Sequence, residues 1–430
     1  MASTTPRAAI IAGLRTPFLR AGSDFAQLDV LELARSVTVE LLQRTALDPR
    51  QVDHVIYGNV VRPVQYTNLA RELVLAAGLP RQTPADTVTL ACASAIQAIT
   101  DATNLIERGY ADVVIAGGVE MLSNVPLSLS PPLARALVGA SQAKSLSGRL
   151  NSLRGLALAD LPPVAPGISE TSTGLSMGQS AELMAKVNGI SRADQDAWAL
   201  ASHRKAAAAW ADGRLAEEVA PVYVLNNGGR AVTRDNHVRP DTSLDKLAKL
   251  RPAFDRQYGT VTAGNASPLT DGAASLLLMS VDKATSLGFA PQAVVKSYAY
   301  AAVDPVGQLL LGPAWAIPKA LDRAGLQLGD IDLVEMHEAF AAQVLSTLQK
   351  LESQTFAETE LGRSSAVGRL DPEKMNLRGG SIALGHPFGA TGARCVMTLA
   401  NEMERQSASL GLVSVCAAGG IGAAVVLERL

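Results

Sequence analysis

The chain has 430 residues, a formal net charge of −2, 48% hydrophobic residues and 18% charged residues. That balance belongs to a folded globular protein with room for two or three domains, and it excludes a disordered chain. It gives no general pull toward nucleic acid, and no apolar run reaches the roughly 18 residues of a membrane-spanning helix.

The opening MASTTPRAAIIAG lacks a long apolar signal core, and a strand-like run at 8–12 leaves little room for a cleavable leader. A helical pattern over about 28–42 follows. VDHVIYGN at 52–59 reads as a strand. In TVTLACASAIQAIT, at 87–100, a strand meets a cysteine, and a helix running to Glu107 begins at once. ADVVIAGG, from Ala111, is the next strand. This alternation predicts an α/β fold with a buried sheet.

Composition shifts over 122–252. Proline, serine and small residues come first, then helical patterns such as SRADQDAWALASHRKAAAAW from Ser191. The stretch reads as an inserted domain. Within it, 131–160 carries Arg135, Lys144, Arg149 and Arg154 against a single acid, Asp160, with leucines between them. Such a basic amphipathic segment can lie on a membrane surface or pack on a partner, but the preferred reading is a solvated lid over a pocket. YGTVTAGNASPLTDGAASLLLMS, from Tyr258, returns to strand and helix and completes the first unit at about 253–283.

The second half then repeats the first. ALDPRQVDHVIYGN begins at Ala46 and GLQLGDIDLVEMHE at Gly325, with Leu47 matching Leu326, Val52 matching Ile331, Asp53 matching Asp332 and Val55 matching Val334. The strand, turn and helix around Cys92 answer to RGGSIALGHPFGATGARCVMTLANEME from Arg378. ADVVIAGG answers to LVSVCAAGG from Leu412. Two matches in one order predict a duplicated α/β unit: a first half at 1–121, an insert at 122–252 and a second half at 284–430.

Four places offer chemistry. Cys92 stands where a strand turns into a helix, and the positive end of the helix dipole is expected to favour its thiolate. His386, in GHPFGATG, is held on a glycine–proline turn before a helix from about Thr391, a setting for a general base. His337 and Glu338, in MHEAF, end a strand; the imidazole can donate to an oxyanion, and Glu338 can orient it. Cys416, in CAAGG, ends another strand as a second acid/base thiol, with the Ala418 N–H beside it. Taken singly, each has an ordinary structural alternative: a core cysteine, a surface-loop histidine or a polar strand end. Cys395, mid-helix, reads as core, and His54, His203 and His237 have no role. No CxxC or HExxH spacing suggests a metal, and no GxGxxG or GxxxxGK[ST] loop suggests bound nucleotide. Three dispersed cysteines form no disulfide framework, which favours a reducing, cytoplasmic location. The terminal LERL does not match a peroxisomal SKL signal.

Together, CAS at Cys92, HEAF at His337, GHP at His386 and the cysteine of CAAGG at Cys416 resemble the thiolase family, in its order and over nearly the whole chain. GTVTAGNASPLTDGAA, from Gly259, is also similar to a family stretch. The resemblance implies two thiolase half-folds in a layered α-β-α-β-α arrangement, plus a loop domain that holds coenzyme A. His337 replaces the asparagine of the commoner NEAF, and Cys416-Ala417-Ala418 replaces CxG. Both departures, LRPAF from Leu250, and the longer segment at 352–373 resemble the β subunit of the trifunctional β-oxidation complex and its bacterial relatives. The implied activity is degradative: CoA-dependent cleavage of 3-ketoacyl-CoA by ping-pong acyl transfer. Cys92 would be the nucleophile, His386 the base, and His337 an enolate stabiliser in place of a bound water. Cys416 would be the second acid/base, with the backbone N–H groups of Cys92 and Ala418 as an oxyanion hole. Met177 and Ser267 would line the pantetheine channel. Coenzyme A would be a substrate, with no cofactor and no metal. Alternatives are a biosynthetic acetyl-CoA acetyltransferase, a ketoacyl-synthase-like condensing enzyme, or a silent acyl-CoA-binding relative. Expected partners are a second copy, as a homodimer or dimer of dimers, a hydratase/dehydrogenase α-subunit-like protein, and a peripheral membrane contact through 131–160.

Overall fold

In the computed structural model the duplication becomes a dyad in the sheet. The structure describes residues 7–164, 167, 169–224 and 229–430, so residues 1–6 of the opening stretch lie outside the described residues. The strands are β1 (Ala8–Arg15), β2 (Leu19–Arg20), β3 (His54–Gly58), β4 (Ala85–Val88), β5 (Val113–Glu120), β6 (Val222–Val224), β7 (Arg230–Val232), β8 (Thr270–Ser280), β9 (Ala293–Ala302), β10 (Leu333–Met336), β11 (Leu410–Ala417) and β12 (Ile421–Glu428). The main sheet runs β10-β11-β12-β9-β1-β8-β5-β3-β4, with β2 paired to β8.

Read outward from the centre, β1-β8-β5-β3 is matched by β9-β12-β11-β10. β1 and β9 meet antiparallel through Ala9–Val294 and Ile10–Ala293. The outer pairs β3–β5 and β10–β11 are parallel, whereas β5–β8 and β11–β12 are antiparallel. β5 and β8 are buried along their whole length, as expected of strands covered on both faces.

The apolar clusters define the layers. Between the halves lie the helices Ser94–Glu107 and Thr391–Gln406. Their Ile96, Ile99, Val396 and Met397 pack with Val114 and Leu276 of one half and Val413 and Val425 of the other. The helix Val30–Thr45 covers the first half through Leu33, Val37 and Leu41. It is started by an Asp29–Glu32 capping box and stopped by Ala46 in the left-handed region at φ 52°. The helices Pro313–Ala324 and Ala341–Leu351 cover the second half through Ile317, Leu321 and Val344. The result is α-β-α-β-α.

The repeat is imperfect at one place that matters. β4 precedes Cys92, but no strand precedes His386; the helical turn Ser381–Leu384 stands there instead. Gly379 (φ 73°) and Gly385 (φ 114°) bracket that turn in conformations no strand adopts. Gly380 lies so close to the Glu338 carboxyl that a Cβ would sit 2.3 Å from its carbon.

Between β5 and β8 run further helices and the antiparallel pair β6–β7. They are tied to both halves by buried ion pairs: Arg15 Nη1 lies 2.7 Å from Asp235, and Arg378 lies 2.5 Å from Glu218. Within 131–160, the helix Pro131–Gln142 buries only Ala136, and the helix Leu146–Ser152 buries nothing. Among the described residues no helix is long and apolar enough to cross a membrane.

Candidate active site

Cys92 is presented by a strained turn. Ala91, just before it, has φ 45°, uncommon for a residue with a side chain. Ser94 braces the turn: its Oγ donates to the Ala91 carbonyl at 2.6 Å and accepts from the Leu90 N–H at 2.8 Å. The helix begins at Ser94, so Cys92 sits just ahead of its N-terminus.

His386 approaches from the other half. Its Nε2 lies 3.1 Å from Cys92 Sγ, and its Nδ1 lies 2.6 Å from Thr391 Oγ1, the first residue of the helix Thr391–Gln406. Glu120, fully buried at the end of β5, fixes the loop that carries His386. Its carboxylate accepts from the N–H of Gly389 (3.0 Å), Val61 (2.9 Å) and Val60 (3.2 Å). The two halves touch so closely there that a Cβ on Gly118 would lie 1.9 Å from the Gly389 carbonyl oxygen.

His337 follows β10, with its N–H donating to the Ser414 carbonyl at 2.8 Å. Its ring lies 4.1 Å from that of His386. Glu338 does not orient it. The Glu338 carboxylate accepts from Trp198 Nε1 (3.0 Å), Ser202 Oγ (2.7 Å) and Asn376 Nδ2 (2.8 Å), tying the strand end to the helix Arg192–Ala211. The partner of His337 is Ser381, whose Oγ lies 2.8 Å from Nδ1.

Cys416, buried at the end of β11, belongs to an apolar cluster with Ala266, Ala339 and Phe340, and Met177 packs on that cluster. The Ser267 N–H donates to the Ala339 carbonyl at 3.0 Å. The backbone N–H groups of Ala418 and of Cys92 itself act on the Cys92 sulfur, each drawing its pKa down. Thus Cys92, His386, His337, Cys416 and Ala418 converge on one place, with Met177 and Ser267 against the wall behind Cys416.

Burial works against the expected thiolate. Burial pushes the Cys92 thiol up to about 12, and the two backbone N–H groups offset this only in part. His386 is driven down to about 3, first by burial and then by the charge of Arg394. His337 is held well below its usual value by burial, His386 and Arg394. Cys416 is pushed well up by burial and by the neighbouring Cys92. Burial is the largest cause of all four shifts, and each runs toward the neutral form. The site is built to pass protons rather than to store charge.

The sequence spacing gave no hint of metal ligands, yet ligating atoms of Cys92, His337 and His386 lie within 4.8 Å of one another. Such a set fits a nucleophile, a base and a donor, and it also suits a soft divalent cation. Cys395 is core, with 0% exposure. His54 bonds Asp86, and His203 faces His237 at 5.8 Å.

Sequence reading missed four residues that shape the site: Glu120, Ser381, Thr391 and Arg394. Glu120 had a signal, an acid ending an otherwise apolar strand. Arg394 had another, a cation on the central helix, where it pairs with buried Glu335.

Two family models match. The one described as thiolase, N-terminal domain covers residues 8–282, and the one described as thiolase, C-terminal domain covers 289–429. The chain is 48% identical over 422 residues to a 3-ketoacyl-CoA thiolase of Yersinia pestis (strain Pestoides F), covering 98% of this chain and 97% of that one. Its fold superposes on the acetyl-CoA acetyltransferase of Bacillus anthracis with a TM-score of 0.86 at 34% identity, covering all of both chains. On human mitochondrial 3-ketoacyl-CoA thiolase the TM-score is 0.85 at 32% identity, covering 99% of this chain and 100% of that one.

Proposed function

The chain belongs to the thiolase family, and from that premise we propose that it cleaves 3-ketoacyl-CoA with CoA into acetyl-CoA and an acyl-CoA shortened by two carbons. The observation that carries this reading is the 3.1 Å contact between Cys92 Sγ and His386 Nε2. Shifts toward the neutral forms of Cys92 and His386 suit proton transfer concerted with attack.

His386 Nε2 takes the Cys92 proton as sulfur attacks the 3-keto carbon. The oxyanion so formed accepts the Cys92 and Ala418 N–H groups. The bond between C2 and C3 breaks, and its electron pair passes to the enolate of acetyl-CoA. That enolate oxygen meets His337 and the now protonated His386, and Cys416 gives its proton to C2. CoA then enters and loses its thiol proton to the Cys416 thiolate. Its sulfur attacks the Cys92 thioester, and departing Cys92 recovers its proton from His386. Losing one oxyanion donor typically costs about 3 kcal/mol. Burial keeps Cys416 protonated until the enolate forms, and makes its thiolate a strong base for the incoming CoA thiol.

Cys416 argues against a decarboxylating condensing enzyme, which needs no second thiol acid. The test is a thiolysis profile across acyl chain lengths on the protein alone. CoA-dependent loss of 3-ketoacyl-CoA supports the reading. Condensation from a malonyl thioester without thiolysis would replace it.

The segment 122–252 would serve as the CoA- and acyl-binding loop domain, with Met177 and Ser267 on the pantetheine channel. CoA is a substrate, with no cofactor. β4 ends the sheet as an open edge, which supports pairing with a second copy, as a homodimer or dimer of dimers. Three unpaired cysteines support a cytoplasmic setting, where a hydratase/dehydrogenase partner would supply the substrate. A peripheral membrane role for 131–160 is favoured by its exposed leucines, Leu146 at 78%, Leu150 at 63% and Leu158 at 86%. Liposome flotation at low and high salt tests it; no binding at low salt excludes it.

A further inference from the structure

The two active-site imidazoles each bond a hydroxyl through Nδ1, but the hydroxyls are wired in opposite senses. Thr391 Oγ1 donates its one proton to the Pro387 carbonyl at 3.0 Å. Its oxygen can therefore only accept from His386 Nδ1 at 2.6 Å. His386 then carries its proton on Nδ1 and presents the bare Nε2 to Cys92, the form a base requires.

Ser381 is reversed. Its Oγ already accepts from Arg394 Nη2 at 3.1 Å. Among the described residues no acceptor for the Ser381 proton other than His337 Nδ1, at 2.8 Å, is found. Arg394, Ser381 and His337 are all fully buried, and the Arg394 cation is held in place by Glu335. A guanidinium donating into the oxygen polarises the O–H and strengthens it as a donor. Meanwhile His337 Nε2 has no partner in the protein although it is buried. A buried, unpaired ring nitrogen is costly unless a ligand atom completes it.

We propose that Ser381, backed by Arg394, is a positioning residue that locks neutral His337 with its proton on Nε2, making that imidazole a permanent hydrogen-bond donor to a substrate oxyanion. The inference rests on the thiolase reading for its catalytic consequence but not for the tautomer itself. No proton leaves His337 during turnover. Its N–H meets the enolate oxygen, while His386 alone gains and returns the Cys92 proton. Two chemically identical side chains, 4.1 Å apart, thereby take opposite roles.

The experiment uses the full-length protein labelled with 15N only at histidine. Its five histidines keep the spectrum assignable, with His337→Asn to identify the resonance. The expected result is His337 protonated at Nε2 and His386 at Nδ1. Ser381→Ala should move His337 toward the Nδ1-protonated form. It should also lower kcat for thiolysis by about 10- to 100-fold, with KM nearly unchanged, part of the roughly 100- to 1,000-fold that complete loss of one oxyanion donor costs. Ser381→Thr, which keeps the hydroxyl, should restore both. A wild-type spectrum with the His337 proton on Nδ1 overturns the proposal, even if Ser381→Ala does not fold. An unchanged kcat in Ser381→Ala also overturns it. A correct tautomer in a protein without thiolysis activity would instead sink the functional reading and leave the tautomer standing.

Discussion

Replacing Thr391 by valine removes one hydroxyl from a fully buried, nearly isosteric position. The Pro387 carbonyl keeps a partner, because the Thr391 backbone N–H still donates to it at 3.1 Å. The orphan is His386 Nδ1–H, whose 2.6 Å acceptor is gone. At rest that costs about 1–3 kcal/mol of stability. During acylation the ring becomes cationic, and its lost hydrogen bond would have strengthened from roughly 1 to roughly 2 kcal/mol. The difference, about 1 kcal/mol, falls on the transition state alone and lowers kcat about fivefold. Freedom to adopt the wrong tautomer adds a further factor of about two, so the expected fall is about tenfold with KM little changed. Steady-state thiolysis, run beside thermal unfolding, measures both consequences. Thr391→Ser should recover both. A valine variant with kcat within about twofold of the parent would refute the view that Thr391 sets up His386 as the base.

Cys416→Ala should leave acylation of Cys92 possible but slow turnover in both directions, accumulating an intermediate that mass spectrometry detects; unchanged turnover would remove its acid/base role. Because burial raises the Cys92 thiol to about 12, its alkylation by iodoacetamide should keep accelerating up to pH 9. A plateau below pH 8 would instead reveal a preformed thiolate–imidazolium pair. Chelator-treated protein should retain full thiolysis activity, while added Zn2+ should inhibit in competition with 3-ketoacyl-CoA by binding Cys92 Sγ and the bare Nε2 of His386; activity lost on chelation would make the metal a cofactor.

The dyad was legible because both copies keep the same apolar strand pattern, as in the matched pair Val55 and Val334. The convergence of Cys92, His386, His337 and Cys416 was legible because each ends a strand or starts a helix on the same side of a duplicated unit. What was illegible depends on distances between remote residues. Glu338 looks like the partner of its neighbour His337, but the chain direction sends its carboxylate to Trp198 and Ser202, on a different helix. Ser381 lies 44 residues from His337, and nothing in its local pattern marks it. The thiolate expectation weighed a local dipole and omitted the burial that only the packed halves create. The strand expected before His386 was lost to two glycines with positive φ, which a duplicated pattern conceals.

The central claim is that Cys92 carries the acyl group. The direct measurement is peptide mass spectrometry after brief exposure of the protein to a 3-ketoacyl-CoA without free CoA. The account predicts an acyl adduct on the peptide containing Cys92, two carbons shorter than the substrate acyl chain, removed by added CoA and absent in Cys92→Ala. An adduct on Cys416, or rapid cleavage by the Cys92→Ala variant, would contradict it.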